Sequence, residues 1–136
     1  YKAYLPASFN DKAEVREIEP YVYCQSTHGR PSPRFGTSRL PWLSGAATWA
    51  FYSASQYILG IRPQYDGLEI DPCIPADWDG FSVQRTFRGK QINIKVENLN
   101  HVQKGVKQLI INGEKIDGNI IPANMLKPEN EVIAVM

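Results

Sequence analysis

At 136 residues, 43% of them hydrophobic and 21% charged, the chain can hold one domain or two small ones, and its composition is ordinary for a globular protein. Its formal net charge of +1 supplies no long-range field to recruit nucleic acid or an anionic bilayer, so neither partner is expected and any anion binding must be local. No apolar run approaches the roughly 20 residues that a membrane-spanning helix needs.

The opening YKAYLPASFNDKAEVREIEP has neither a basic start with an apolar signal core nor a helix cap, and it reads as the interior of a longer polypeptide. A short helical turn is expected over residues 11–18. Residues 25–41, QSTHGRPSPRFGTSRLP, are rich in Gly, Pro, Ser and Arg and read as a long ordered loop of the kind that often carries function. Its Arg30, Arg34 and Arg39 either gather round an anion or anchor the loop through backbone carbonyls.

Residues 45–59 form the one strongly helical pattern. Ala46, Ala47, Trp49, Ala50, Phe51, Ala54, Tyr57 and Ile58 leave almost no polar face, so this helix is expected to be buried on most sides, by partners largely outside the chain. Ser44 suits the N-cap, Gly60 the left-handed C-terminal position, and Pro63 blocks continuation.

After Pro63-Gln64-Tyr65-Asp66-Gly67 the period falls to two. Phe81, Val83, Arg85 and Phe87 alternate with polar residues, as do Ile92, Ile94 and Val96, and Arg88-Gly89-Lys90 has the make-up of a hairpin link. Asn112-Gly113 is a type I′ turn signal after the strand 109–111, and residues 131–135 form a last strand. The expected fold is mixed α and β, with a small antiparallel β-sandwich at its C-terminal end and a boundary at 78/79.

Candidate chemistry is sparse. The carboxylates Asp66, Glu69, Asp71, Asp77 and Asp79 invite a glycosidase reading, but Asp66-Gly67 and Asp79-Gly80 are turn sequences and Asp71 precedes Pro72 at a strand end. His28 and His101 lack metal-ligand spacing, and Cys24 and Cys73 read as reduced structural thiols or as one disulfide. Ser44-Gly45 stands apart: a helix start offers unpaired N–H groups and the positive end of the dipole, and glycine lets an anion approach. A plain helix cap uses the same residues.

Several phrases together resemble the C-terminal end of the glycoside hydrolase family 94 phosphorylases: EPYVYCQ (19–25), WLSGAATW (42–49), YILGIRP (57–63), YDGL (65–68), IDPCIP (70–75) and FRG (87–89). The resemblance implies a cytoplasmic, homodimeric enzyme that transfers a glycosyl group from a β-linked gluco-oligosaccharide to inorganic phosphate, inverting the anomeric centre to give α-sugar 1-phosphate. It implies the end of an (α/α)6 barrel over residues 1–78 and the sandwich over 79–136. Gln25 stands at a sugar contact of the family. Ser44 and Gly45 stand at its Thr-Gly phosphate contact, the change from Thr keeping the hydroxyl.

The family's catalytic aspartate and a phosphate-holding histidine lie upstream, with no motif for either in this chain. These 136 residues alone are therefore expected to be inactive. Phosphate is the co-substrate, and no cofactor or metal is implied. The loop around Thr27-His28-Gly29-Arg30 resembles the members acting on cellodextrin or β-oligoglucan. The contrasting expectation is a structural or carbohydrate-binding module, which would display coplanar aromatics on a sheet face, whereas Trp42, Trp49 and Trp78 read as packing.

Overall fold

The computed structural model describes all 136 residues. They separate into two compact units, Tyr1–Phe51 and Tyr52–Met136.

The first unit opens with the 3-10 stretches Lys2–Tyr4 and Pro6–Lys12 and the single turn α1 (Ala13–Arg16), which stops at Glu17 with φ 55°. Arg16 folds back and donates to the Val22 carbonyl at 2.9 Å, fixing the bend that delivers the chain to β1. β1 (Cys24–Thr27) pairs antiparallel with β2 (Ser38–Pro41), Cys24 opposite Pro41 and Thr27 opposite Ser38. The long loop expected over 25–41 is thus a hairpin whose tip closes through His28 N–H to Thr37 O at 2.9 Å and Gly36 N–H to His28 O at 3.0 Å. The strands escaped notice because β1 is exposed along most of its length and carries no alternating apolar pattern.

The helix expected over 45–59 is realised as α2 (Ala46–Tyr52) followed by a wider π-type stretch, Ser53–Ile58. Ser55 donates its hydroxyl to the Tyr52 carbonyl at 3.4 Å, and the stretch closes with Leu59 N–H on Ala54 O at 2.8 Å, a five-residue reach that marks the π geometry. Gly60 ends it at φ 66°, as its sequence position implies. Within the chain the helix is largely uncovered, in agreement with the expectation that its partners lie outside: Ala50 is 4% exposed, but Trp49 is 69% and Phe51 75% exposed.

The second unit carries β3 (Ile61–Pro63), β4 (Gly67–Ile70), β5 (Gly80–Phe87), β6 (Lys90–Glu97), β7 (Gln108–Ile111), β8 (Glu114–Ile116), β9 (Ile120–Pro122) and β10 (Glu129–Val135). One sheet has the order β3-β4-β9, the other β5-β6-β10-β7-β8. Leu68, Ile70 and Ile121 from the first and Ile92, Ile94 and Leu109 from the second, all 2% exposed or less, join one hydrophobic core. Burial of each such side chain stabilises the fold by about 1.5–3 kcal/mol. The β5–β6 and β7–β8 hairpin links are two-residue turns with positive φ throughout, Arg88 (51°) and Gly89 (75°), then Asn112 (50°) and Gly113 (85°), the type I′ pattern that matches strand twist.

One expectation changes. The sheets are not antiparallel throughout, because β10 runs parallel to β6, Val132 beside Ile94; the chain between them is long enough for the crossover that a parallel pair requires. The first strand of the second unit begins at Ile61, and the expected boundary at 78/79 falls inside that unit. The chain is a mixed α and β protein, rich in sheet and poor in helix.

Candidate functional site

Ser44 and Gly45 open α2. The Gly45 carbonyl accepts the first helical bond, from Trp49 N–H at 3.0 Å, which makes Gly45 the N-cap and places Ser44 one residue earlier than expected. Ser44 Oγ still caps, accepting from Ala46 N–H at 3.3 Å. A hydroxyl that accepts inward keeps its own proton to donate outward. The amides of Ala47 and Thr48 lie in the first turn, where a helix offers no acceptor of its own. A Cβ on Gly45 would come no closer than 3.5 Å to Trp49, so the fold leaves room there that glycine does not fill.

Ser44 and Ala47 line a cavity of about 120 Å³ together with Tyr21, Val22, Tyr23 and Trp42. Its aromatic wall is ordered: Tyr21 and Trp42 meet edge to face, centroids 6.2 Å apart at 71°, and Trp42 Nε1 donates to Glu19 Oε1 at 3.2 Å. Trp42, expected to be packed, is 66% exposed. Sequence reading missed this constellation because Trp42 sits at φ 66° and Leu40 at φ 50°, a left-handed pair around Pro41 that no residue type there announces. Gln25 is exposed on β1 and is not among the cavity residues.

Of the candidate carboxylates, Glu69 and Asp71 are structural. Glu69 and Asp71 both accept from Arg62, at 2.7 Å and 2.9 Å from Nη2, and Asp71 also pairs with Lys104 at 3.4 Å. The Arg62 hydrogen bond holds the Glu69 carboxyl below its ordinary range, and burial opposes this only in part. Such a group stays ionised and cannot deliver a proton near neutrality. Asp66 lies in the bend before β4, its backbone carbonyl accepting from Ala123 N–H at 2.9 Å, whereas Asp79 stands directly before β5 with its carbonyl accepting from Asn98 N–H at 2.8 Å, so the turn expected there is not formed.

Arg34 pairs with Glu17 at 3.0 Å in an exposed ion pair, which is neither of the roles its sequence context suggested. Both cysteines are free thiols. No three His, Cys, Asp or Glu side chains converge as a metal ion would require, and no helix is long and apolar enough to cross a membrane.

Comparison with known proteins follows this division of the chain. The family model for the catalytic domain of the glycosyl hydrolase 94 superfamily matches residues 1–60, which hold Gln25, Ser44 and Gly45. Residues 1–60 belong to that superfamily. The model for the C-terminal domain of glycosyl hydrolase family 65 matches residues 61–103, taking over where Gly60 ends the helical stretch and β3 begins. Over all of its residues the chain is 43% identical to the N,N′-diacetylchitobiose phosphorylase of Vibrio proteolyticus and 42% identical to that of Vibrio furnissii, covering 17% of each. It is 37% identical to the solabiose phosphorylase of Paenibacillus borealis, over 90% of this chain and 16% of that protein. The chain thus spans about a sixth of the length of these curated relatives.

Proposed function

We propose that this chain is the C-terminal segment of an inverting glycoside phosphorylase, which cleaves a β-linked gluco-oligosaccharide with inorganic phosphate and releases α-sugar 1-phosphate. The observation that carries this reading is the end-to-end match to two diacetylchitobiose phosphorylases, at 43% and 42% identity. The exposed Trp49 and Phe51 support a place for α2 against further helices of an (α/α)6 barrel in a longer polypeptide.

In this reading the segment binds and does not catalyse. One phosphate oxygen accepts a hydrogen bond from the Ser44 hydroxyl, others face the amides of Ala47 and Thr48, and the bare Gly45 backbone and the helix dipole favour the anion. Gln25 offers an amide donor and acceptor to a sugar hydroxyl. A carboxylic acid outside this chain protonates the leaving oxygen. Phosphate is itself the nucleophile, so the second carboxylate of an inverting hydrolase is dispensable. This agrees with Glu69 and Asp71 being held in ion pairs.

The test is to incubate the complete polypeptide with cellobiose or N,N′-diacetylchitobiose and inorganic phosphate and follow the products by ³¹P and ¹H NMR. Accumulation of an α-configured sugar 1-phosphate is expected. Release of free reducing sugar with no consumption of phosphate contradicts the proposal.

A further inference from the structure

Trp42 combines features that packing alone does not explain. It is a large aromatic left 66% exposed, on a backbone held at φ 66°, with Leu40 at φ 50° two residues earlier. Left-handed backbone at a bulky residue costs about 1–3 kcal/mol and persists where the surroundings over-determine it. The indole is held at both its edge and its polar end, by Tyr21 edge to face at 6.2 Å and by Glu19 Oε1 at 3.2 Å. The strain therefore sets a fixed aromatic ring beside a cavity of about 120 Å³, with the Ser44 hydroxyl on the same wall.

An aromatic ring edged by a carboxylate and a hydroxyl matches the two-sided chemistry of a sugar. The C–H face of a pyranose lies against the ring, and its hydroxyls meet the acceptors at the edge. The cavity holds the equivalent of about four waters at roughly 30 Å³ each, the scale of a hydroxymethyl or acetamido substituent.

We infer that Tyr21, Trp42 and Glu19 form a sugar subsite that stacks a pyranose ring on Trp42 and takes a ring substituent into the cavity next to Ser44. The inference rests on the phosphorylase reading, deepens it on the sugar side, and adds a subsite to the contact assigned to Gln25. Glu19 holds the indole in place through Nε1 and faces the sugar edge with its carboxylate.

Calorimetric titration of the complete polypeptide with N,N′-diacetylchitobiose and with cellobiose, in the absence of phosphate, tests the subsite without relying on turnover. Wild type is expected to bind at least one sugar, Trp42→Ala to weaken that binding by on the order of tenfold, and Trp42→Phe to restore most of it. Unchanged binding in Trp42→Ala overturns the inference, as does a wild type that binds neither sugar. Loss in Trp42→Ala and Trp42→Phe alike, with a lowered Tm in both, assigns Trp42 to packing and also overturns it. Failure of the phosphorylase reading is scored separately, by the absence of sugar 1-phosphate from wild type.

Discussion

Arg62 and Glu69 face each other across the β3–β4 pair and are joined by two parallel hydrogen bonds, Nε to Oε2 at 3.0 Å and Nη2 to Oε1 at 2.7 Å. The same guanidinium reaches Asp71 at 2.9 Å, and the Glu69 and Asp71 side chains are each only 15% exposed. Planar bidentate geometry is what arginine offers and lysine lacks. Arg62→Ala leaves two half-buried carboxylates without their main partner and is expected to destabilise the second unit by about 2 kcal/mol. Arg62→Lys should recover less than half of that. Urea denaturation followed by circular dichroism reads both values, and equal stability of Arg62→Ala and wild type would contradict the role given to the network.

The same pair sets a pH dependence. The Arg62 hydrogen bond lowers the Glu69 pKa, so the folded protein gives up this proton more readily than the unfolded chain. The contribution is complete above the ordinary glutamate pKa and is lost as pH falls through the depressed folded value. Tm measured from neutral to acid pH is therefore expected to fall less steeply in Glu69→Gln than in wild type. Parallel curves would show that Glu69 is not a source of the acid sensitivity.

Two glycines with positive φ separate strain from collision. A Cβ at Gly60 would lie 2.1 Å from the Asp71 carbonyl oxygen, whereas one at Gly113 meets nothing within 4 Å. Gly113→Ala is expected to cost about 1 kcal/mol, the left-handed penalty alone. Gly60→Ala should cost at least twice that, because backbone has to move. Chemical denaturation of the two variants side by side checks the order, and a reversed order would contradict the close approach of residues 60 and 71.

Much of the sheet unit was legible because its residues obey one period. Ile92, Ile94 and Val96 alternate with polar residues, and Asn112-Gly113 can adopt the two positive φ values that a type I′ turn demands, so strands and turns follow from local chemistry. The parallel placement of β10 against β6 was not legible, since parallel and antiparallel neighbours share that alternation and the choice is made by a crossover. The ends of the helical stretch formed by α2 and its π continuation could be read, to within a residue, from Ser44 and Gly60. The exposure of Trp49 agrees with the expectation that an apolar helix with so few apolar partners in its own chain is covered from outside it. At the candidate site Ser44 and Gly45 were legible as a helix start open to an anion and Gln25 only through a resemblance, while the aromatic wall of Tyr21 and Trp42 depends on backbone angles hidden in Leu40-Pro41-Trp42.

Gln25 is exposed on β1 and is assigned a sugar hydroxyl. Gln25→Ala in the complete polypeptide is expected to lower kcat/KM for the glycoside by an amount equivalent to about 1–3 kcal/mol, with KM for phosphate unchanged. An unaltered kcat/KM would remove Gln25 from the site.

The steady-state KM for phosphate of the complete polypeptide and its Ser44 and Gly45 variants tests the central claim most directly. Ser44→Thr keeps the hydroxyl and is expected to be near wild type. Ser44→Ala removes the donor and should raise KM for phosphate by on the order of tenfold. Gly45→Ala has room within the fold, its added Cβ no closer than 3.5 Å to Trp49, so it should raise the same constant with little change in Tm. Ser44→Ala and Gly45→Ala enzymes with lowered Tm and a phosphate KM identical to wild type would show that the pair only caps α2, contradicting the phosphate seat.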